Sequence, residues 1–578
     1  IRDADVTGVQ TCALPILDEL DETYNDIKPR DIDYDFNTTI TRDDIRLSLR
    51  KTKNTAPGTD RIYYPHIKFL PNIALDYLAT IYENCLKCIY FPEPWKQGST
   101  ALIPKPNKDH SDPKSYRPIT LLSALGKSFE RIINNRLKAH IEDNGLLPDS
   151  QAGFRQGRST QDQLLRLTQD VTRSFQNQGT TLATFFDIEK AFDKLWIQGL
   201  MLKMKTRLAL KIGTIALIHS YLTNRTVKFK VGNETSDPLA LKAGTPQGSI
   251  LSPTLFNLGV SDIPQPNAKT KLSQFADDID TWNSGRDKTT TQPRLQAYND
   301  KIQAWCKKWK LKLAPSKTQL IEFKRKRLNE YGPAKQRIND LDIFSTDHVD
   351  FLGITFDRKL LLTKHHRQTM TKLKQRIGAL TKVTGSQQHP RASKKLGISI
   401  LKSMVISLTQ YAPTILVQKT DAQFTQEDKA FIRGARIALH LPRHISESYV
   451  RDLVNIPTSK ETTYRLAGSY IDSDKRGTDF KQYINIQSLH RPTFRQKYIR
   501  MTPINRLSQA GLITCCPAGN CHDPEPIDRP SQAGLITCCP AGNCHDPEPI
   551  DRPSQAGLIT CCPAGNRHDP ELTIFITD

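Results

Sequence analysis

The sequence predicts an α/β fold followed by a segment that consists of helices alone. Residues 181–186 are apolar and favour β-structure up to Asp187, after which the pattern becomes helical. A second apolar strand, 274–280, carries two adjacent aspartates. Farther along the chain, apolar residues recur at helical spacing between residues 370 and 408. A region in which strands alternate with helices, followed by a region of helices alone, indicates two parts of the chain with different architectures.

The charge indicates a polyanionic partner. The 578 residues carry a net charge of +22, and a hydrophobic content of 37% is sufficient to bury a core. Charge alone leaves nucleic acid, an anionic membrane and an acidic protein open. No apolar run approaches the roughly 20 residues that a bilayer-spanning helix needs, so we expect no membrane partner.

The cysteines predict no disulfide framework. Of 12 cysteines, eight lie in a repetitive C-terminal segment, and the other four are scattered. An intracellular, reducing compartment is therefore expected.

The C-terminus contains a tandem repeat. A segment that begins at Ser508 recurs twice with a period of 23 residues. Near-perfect copies favour recent duplication of DNA over a packed solenoid, and we predict disorder for residues 508–578. Zinc binding by Cys516, Cys521 and His522 is the alternative, although their spacing is unusual for zinc.

Three carboxylates are candidate catalytic metal ligands. Asp187 is predicted at the exposed end of a buried strand, where an N-cap role is the alternative. Asp277 and Asp278 repel each other unless a cation neutralises them, although a tight hairpin turn also accounts for an Asp pair. Phosphoryl transfer by two divalent ions requires carboxylates from separate strands that converge, and Mg²⁺ suits such a site, with Mn²⁺ as the other choice.

These motifs resemble those of reverse transcriptases. The turn Phe275-Ala276-Asp277-Asp278 and the segment 187–193 are similar to the two metal-binding motifs of the palm. Residues 243–253, with Gln247 between Pro246 and Gly248, resemble the Pro-Gln-Gly motif of the same family. The resemblance covers roughly residues 39–455 and is closest to the Jockey-like polymerases of non-LTR (LINE-type) retrotransposons.

The resemblance implies roles for further residues. It makes the Ile188 carbonyl a metal ligand, Phe192 a steric gate against a ribose 2′-hydroxyl, and Gln247 a contact of the incoming nucleotide and the template. It also assigns Lys105 and Arg117 to the triphosphate and Lys317 to protonation of pyrophosphate. Each assignment has an alternative. Phe192 would also suit the apolar core, Lys105 and Arg117 would also suit a solvated surface, and Gln247 would also suit a plain loop-to-helix junction.

Two further motifs are expected to bind nucleic acid by the same resemblance. Arg155 and Arg158 lie in a motif that is predicted to run along the template. Phe351, Leu352 and Gly353 resemble the hairpin that grips the primer.

The fold implied by the resemblance is a right hand, with α/β fingers and palm (an α+β palm) followed by an all-helical thumb. No acidic residue lies between Asp357 and Asp421, a stretch with 13 lysines and arginines, and a solvated basic helix is the alternative to a duplex-binding thumb. Within it, Leu401, Met404 and Leu408 have helical spacing, and we expect them to form part of an apolar stripe that packs inward. The predicted segments are 1–16, which resemble translated sequencing-adapter DNA, 17–86 as an extension leading into the fingers, 87–360 as fingers and palm, 361–460 as thumb, 461–507 as a C-terminal extension, and the repeats 508–578.

The predicted reaction is the addition of dNTPs to a DNA primer 3′-end on an RNA template, and it is expected to take place in the nucleus. Two rival interpretations remain. A decayed element would bind RNA–DNA hybrids without chemistry, and an RNA-dependent RNA polymerase would use ribonucleotides, against which Phe192 argues. The sequence does not predict the oligomeric state.

Overall fold

The computed structural model describes residues 33–106, 108–232, 234–325, 332–385 and 389–471, together with three short strands beyond them. These residues fall into two compact units, of which the first ends at Gln368 and the second begins at Thr369. The predicted segment 1–16, residues 17–32 and nearly all of 472–578 lie outside the described residues.

The first unit combines helices with two main sheets. Its helices are α1 (Arg42–Leu49), α2 (Tyr64–Lys68), α3 (Asn72–Lys87), α4 (Glu93–Lys96), α5 (Ala124–Asp143), α6 (Thr160–Gln176), α7 (Ile197–Thr206), α8 (Ile212–Leu222), α9 (Ser252–Gly259) and α10 (Lys288–Lys308). Its strands are β1 (Gln97–Pro104), β2 (Tyr116–Leu121), β3 (Thr180–Phe186), β4 (Arg225–Val231), β5 (Glu234–Thr235), β6 (Leu239–Leu241), β7 (Thr270–Phe275), β8 (Asp278–Gly285), β9 (Gln319–Phe323), β10 (Lys335–Ile338), β11 (Leu341–Phe344), β12 (His348–Phe351) and β13 (Ile354–Asp357).

The palm sheet is antiparallel and has the strand order β7-β8-β3-β9. Every residue of β3 is buried, and α6 and α10 both pack against β3 and β8. A strand covered on its faces needs no alternation of apolar and polar residues, which explains why the residues of β3 show none. Buried polar side chains, among them Thr184, Asp280 and Asn283, also lie within the palm strands, and Asp187 lies just beyond the end of β3.

The fingers sheet has the strand order β2-β1-β4-β5, with β6 paired to β4. Strands β1 and β2 are antiparallel, whereas β1 and β4 are parallel. The largest apolar cluster of the unit packs helices α1, α3, α5, α7 and α8 together. Two hairpins, β10–β11 and β12–β13, complete the first unit.

The second unit is helical in the residues that are described up to 471. Its elements are α11 (Thr363–Thr384), within which the boundary falls, α12 (Lys394–Ile400), a π-helix (Leu401–Val405), a 3-10 helix (Ile406–Thr409), α13 (Pro413–Leu416), α14 (Asp421–Leu439), α15 (Glu447–Val454) and α16 (Ser459–Ile471). Leu373, Ile377 and Leu380 are buried in one apolar cluster, in agreement with their helical spacing. No helix of the described residues is long and apolar enough to cross a bilayer.

The π-helix changes the exposure that the sequence predicts for Met404. Leu401 is fully buried, but Met404, three residues later, is 48% exposed. A π-helix has a wider turn than an α-helix, so residues spaced for an α-helix no longer share one face. The expectation that Met404 continues the apolar stripe is therefore wrong.

The three short strands lie in the C-terminal repeats. They are β14 (Ile513–Thr514), β15 (Ile536–Cys538) and β16 (Ile559–Cys561). They pair in parallel, so that equivalent residues of successive repeats face each other. The other residues of 508–578, for which disorder is predicted, lie outside the described residues.

The second unit contains a buried ion pair. The Lys419 ammonium lies 2.6 Å from the Glu427 carboxylate, and neither side chain is more than 1% exposed. Burial lowers the pKa of Lys419, while Glu427 opposes that shift. The Ser459 hydroxyl donates a second hydrogen bond to Glu427. Each charge of this pair depends on the other for its solvation.

Replacement of Glu427 by alanine is expected to destabilise the second unit by about 3–5 kcal/mol, because Lys419 would stay buried without a counter-charge. Chemical denaturation of the full chain, followed by circular dichroism, measures the change. The matched control is Asp76→Ala, which breaks a surface pair between helices α1 and α3 with Arg42, in which the aspartate is 55% exposed. That change is expected to alter the unfolding free energy by no more than ~1 kcal/mol, and an equal effect of both variants would contradict a special role for the buried pair.

Candidate active site

Three aspartates lie together at one end of the palm sheet. In the antiparallel register of β3 and β8, Phe186 pairs with Ile279. Asp187 follows Phe186 and Asp278 precedes Ile279, so the next pair in this register is Asp187 opposite Asp278. Asp277 lies in the two-residue turn that joins β7 to β8. The structure thus brings together the three carboxylates that the sequence singled out.

The carboxylates influence one another electrostatically. Loss of surrounding water, followed by the charges of Asp277 and Asp187, raises the pKa of Asp278 from 3.8 to about 6. Loss of water and the charge of Asp187 also raise the pKa of Asp277. Like charges this close are unfavourable, and a cation between them would remove the repulsion.

Lys317 partly offsets this negative charge. Its Nζ atom lies 3.3 Å from Asp187 Oδ1, so the lysine that is predicted to protonate pyrophosphate lies beside the three carboxylates. In the described part of the chain, no three His, Cys, Asp or Glu side chains form a group that could hold a metal ion as they stand. The donor set nevertheless fits Mg²⁺, which takes oxygen ligands and uses few carboxylates.

The Ile188 backbone is fixed beside these carboxylates. An isolated antiparallel bridge joins Ile188 to Leu313. Its two hydrogen bonds run from the Ala314 amide to the Asp187 carbonyl and from the Glu189 amide to the Lys312 carbonyl, at 2.8 Å each. The bridge therefore does not use the Ile188 carbonyl, which is the predicted metal ligand.

The turn that carries Asp277 is clamped by a segment whose role the sequence did not reveal. Ala276 has a positive φ of 59°, which is unfavourable for a residue with a side chain. The Gln151 side-chain oxygen accepts hydrogen bonds from the Ala276 and Gly153 amides, at 3.1 and 2.8 Å. A side chain at Gly153 would overlap the Ala276 backbone. The motif that contains Gln151 thus holds the carboxylate turn in place.

Of the two arginines predicted to contact the template, Arg155 is directed into the protein. It is 9% exposed, and its Nε and Nη2 atoms donate to both oxygens of Glu142, at 2.9 and 2.6 Å. This geometry gives Arg155 a structural role and does not support the template contact. Arg158 lies at the surface and donates to Asp149 Oδ1 at 2.6 Å, and its template contact stays a prediction.

The loop of Gln247 is attached to the fingers sheet. The Thr120 amide on β2 donates to the Gln247 carbonyl at 2.9 Å. Gly248 has a φ of 114°, and a Cβ atom there would lie 2.5 Å from the Thr120 carbonyl oxygen. Behind the loop, buried Glu130 accepts a hydrogen bond from the Ser249 hydroxyl. Both a positive φ and a close approach therefore require glycine at position 248.

Phe192 is half-buried between the core and the surface. Its ring centroid lies 4.6 Å from that of Phe256, and Phe154 stands edge-on at 6.3 Å. The Phe192 carbonyl accepts a hydrogen bond from the Thr245 amide at 2.8 Å. One side of the ring therefore belongs to the core, while the rest remains available as a gate, so the two interpretations are compatible.

The two predicted triphosphate cations lie on neighbouring strands. Arg117 pairs with Ile103 across β1 and β2. Its side chain is exposed and makes no hydrogen bond or ion pair with any residue that the structure describes. The Lys105 ammonium, by contrast, donates to the Lys114 carbonyl at 2.7 Å. Of the two cations, Arg117 is the one without a partner within the described chain.

The predicted primer-binding motif is a hairpin turn. Leu352 and Gly353 join β12 to β13 and have positive φ values of 44° and 80°. Phe351 is buried, and its ring centroid lies 4.9 Å from that of Phe185 on β3. Phe351 thus anchors the hairpin to the palm, and primer contact stays a prediction for Leu352 and Gly353.

Sequence comparisons agree with this arrangement. Residues 103–356 match the family of reverse transcriptases (RNA-dependent DNA polymerases). The probable RNA-directed DNA polymerase of transposon BS from Drosophila melanogaster is 30% identical over 80% of this chain and 50% of its own length. The RNA-directed DNA polymerase of the mobile element jockey from the same species is 31% identical over 62% of this chain and 39% of its own length. The chain spans half or less of these relatives.

Telomerase from Candida tropicalis, solved with a fragment of telomeric RNA, is similar to 78% of this chain over 69% of its own length, with 14% identity and a TM-score of 0.36. A likeness this distant carries no argument. The family match, together with the sheets and helices described above, confirms the predicted fold class and the predicted resemblance. Residues 103–356 are therefore a reverse-transcriptase domain, and the chain around them is similar in sequence to the polymerases of jockey-like non-LTR retrotransposons.

Proposed function

We propose that the chain extends a DNA primer 3′-end with dNTPs copied from an RNA template. The observation that carries the proposal is the meeting of Asp187, Asp277 and Asp278 at one end of the palm sheet, where loss of water and the neighbouring charges raise the pKa values of Asp277 and Asp278. The names of the relatives, RNA-directed DNA polymerases, support the same reaction. An arrangement that is unfavourable without a cation is one that a divalent-metal enzyme needs.

Mg²⁺ is the metal that this site fits best, with Mn²⁺ as the second choice. The three carboxylates and the Ile188 carbonyl are the groups that would hold it, and all of them are oxygen donors. Divalent ions in such sites supply charge stabilisation for the attacking hydroxyl and the leaving pyrophosphate.

Three further side chains are assigned to binding and orienting the substrates. Arg117 offers an unpaired guanidinium to the triphosphate, and Phe192 crowds the sugar where a ribonucleotide carries its 2′-hydroxyl. Lys317 holds a proton next to Asp187, from where it can pass to pyrophosphate. These roles make deoxynucleotides the substrates, and nucleic acid accounts for the net charge of +22.

The principal rival is a decayed element that binds RNA–DNA hybrids without chemistry. The complete set of three aspartates argues against decay, because their repulsion would be a cost without a function.

We further propose that the reaction takes place in the nucleus.

Asp277→Asn is expected to lower dTTP incorporation on poly(rA)·oligo(dT) in Mg²⁺ by about 100-fold or more, because it removes charge at the reacting centre. Binding of the hybrid duplex, measured by fluorescence anisotropy, should persist. The control Asp143→Asn changes an exposed aspartate at the end of α5 and should leave incorporation unchanged. An inactive wild-type chain that still binds the hybrid would favour the decayed element.

Asp278→Asn is expected to stabilise the metal-free protein at pH 7.5. The pKa of Asp278 lies at about 6 in the fold, against 3.8 ordinarily, so its charge opposes folding above pH 6. The expected gain is about 1 kcal/mol, because solvent screening reduces the effect of a partly exposed group. Since wild-type Asp278 takes up a proton as the pH falls from 6 to 4, the difference should vanish over that range.

Thermal unfolding measures this difference, first in EDTA and then with Mg²⁺ added in excess of the EDTA. Added Mg²⁺ should stabilise the wild type more than Asp278→Asn. A variant that is less stable than the wild type in EDTA at pH 7.5 would show that the Asp278 carboxylate is not repelled in the fold.

Phe192→Val is expected to increase the ratio of UTP to dTTP incorporation about 10-fold or more, because the smaller side chain leaves room for a 2′-hydroxyl. Single-nucleotide extension with each substrate gives the ratio. Since Phe192 also packs against Phe256, thermal unfolding serves as the control for stability. An unchanged ratio in a folded, active variant would assign Phe192 to the core alone.

A further inference from the structure

An acidic side chain lies unexpectedly close to the proposed nucleotide site. Asp193 is exposed, and its Oδ1 atom accepts a hydrogen bond from Gln247 Nε2 at 2.8 Å. In the described chain, Asp193 forms no ion pair, although the net charge is +22. A carboxylate here repels a triphosphate, so a purely passive surface role would be unfavourable.

Backbone hydrogen bonds hold the Gln247 loop directly against the segment that carries Asp193. The Thr245 amide donates to the Phe192 carbonyl at 2.8 Å, and the Gly244 amide donates to the Leu195 carbonyl at 2.9 Å. The Gln247 carbonyl is held from the other side by β2. With its backbone fixed on both sides, Gln247 keeps mainly the freedom to rotate its side-chain amide.

We propose that Asp193 is a positioning residue that fixes which end of the Gln247 amide faces the nucleotide site. An ionised carboxylate can only accept hydrogen bonds, so Gln247 must direct its NH₂ group to Asp193. The Gln247 oxygen, Oε1, is then the end that remains for the substrate. The group that it recognises is consequently a hydrogen-bond donor, such as a hydroxyl or an amino group, on the incoming nucleotide or the templating base.

This inference rests on the proposed function, because a nucleotide site is what the amide would serve. It differs from a structural role in its kinetic consequence. An amide that rotates freely weakens nucleotide binding, and chemistry at the carboxylates continues. The KM for the dNTP should therefore change more than kcat.

The first test is Asp193→Ala in the full chain, with dTTP on poly(rA)·oligo(dT). We expect the KM for dTTP to rise about 5-fold, as for the loss of one hydrogen bond, with kcat changed less than 2-fold. Asp193→Asn should lie between alanine and wild type, because its side-chain oxygen still accepts from Gln247 while its NH₂ group also permits the opposite orientation. The exposed Asp237, in the fingers sheet region, provides the matched control Asp237→Ala.

The second test exchanges the donor and the acceptor. Gln247→Glu places two carboxylates against each other and should raise the KM strongly. Adding Asp193→Asn supplies an NH₂ group to the new carboxylate and again leaves an oxygen facing the site. The kcat/KM of the double variant should therefore be at least 3-fold higher than that of Gln247→Glu. A gain of this size corresponds to about half of the free energy of one hydrogen bond.

The outcomes separate this inference from the proposed function. A wild-type chain without primer extension refutes the polymerase proposal. If the wild type is active and Asp193→Ala leaves the KM for dTTP unchanged, the positioning role is overturned. It is also overturned if the kcat/KM of the double variant is no higher than that of Gln247→Glu. Equal thermal unfolding of all variants excludes a general loss of stability as the cause of a raised KM.

Discussion

The register of β3 against β8 is the constraint on which the candidate site depends. A slip of one residue would remove Asp187 from its position opposite Asp278, because side chains alternate between the two faces along a strand. A side-chain hydrogen bond fits the observed register: the hydroxyls of Thr181 and Ser284, which pair across β3 and β8, lie 2.8 Å apart. This register places Asp187 and Asp278 opposite each other, although their charges repel.

The surrounding protein compensates for that repulsion only in part. Lys317 offsets one charge, and the clamp from Gln151 fixes the strained turn at Ala276. Loss of surrounding water and, after it, the neighbouring carboxylate charges raise the pKa values of Asp277 and Asp278. A bound cation would reduce the cost of placing these charges together, and the large apolar core elsewhere in the unit offsets that cost.

The Gln247 loop connects the two sheets of the first unit. On one side it is bonded to Thr120 of the fingers sheet, and on the other to the segment with Phe192 and Asp193. The proposed gate, the proposed nucleotide contact and the strand of Arg117 are therefore held by direct hydrogen bonds. Rigid backbone contacts of this type keep substrate-binding groups in fixed relative positions.

The sequence by itself determined where the main strands and helices lie and which carboxylates stand at the ends of the strands. Three of these features are local patterns, which do not depend on contacts with distant residues. They are the apolar and β-favouring residues of β3, the aspartates that follow β3 and precede Ile279, and the helical spacing of Leu373, Ile377 and Leu380. Tertiary structure alone decided which of the marked residues face inward. Arg155 turns to Glu142, Met404 is exposed by a π-turn, and Gln151 reaches a turn far along the chain. The side chains of Arg155 and Gln151 depend on partners elsewhere in the chain, and the exposure of Met404 depends on a π-helix. None of these has a periodic signal that a single sequence could show.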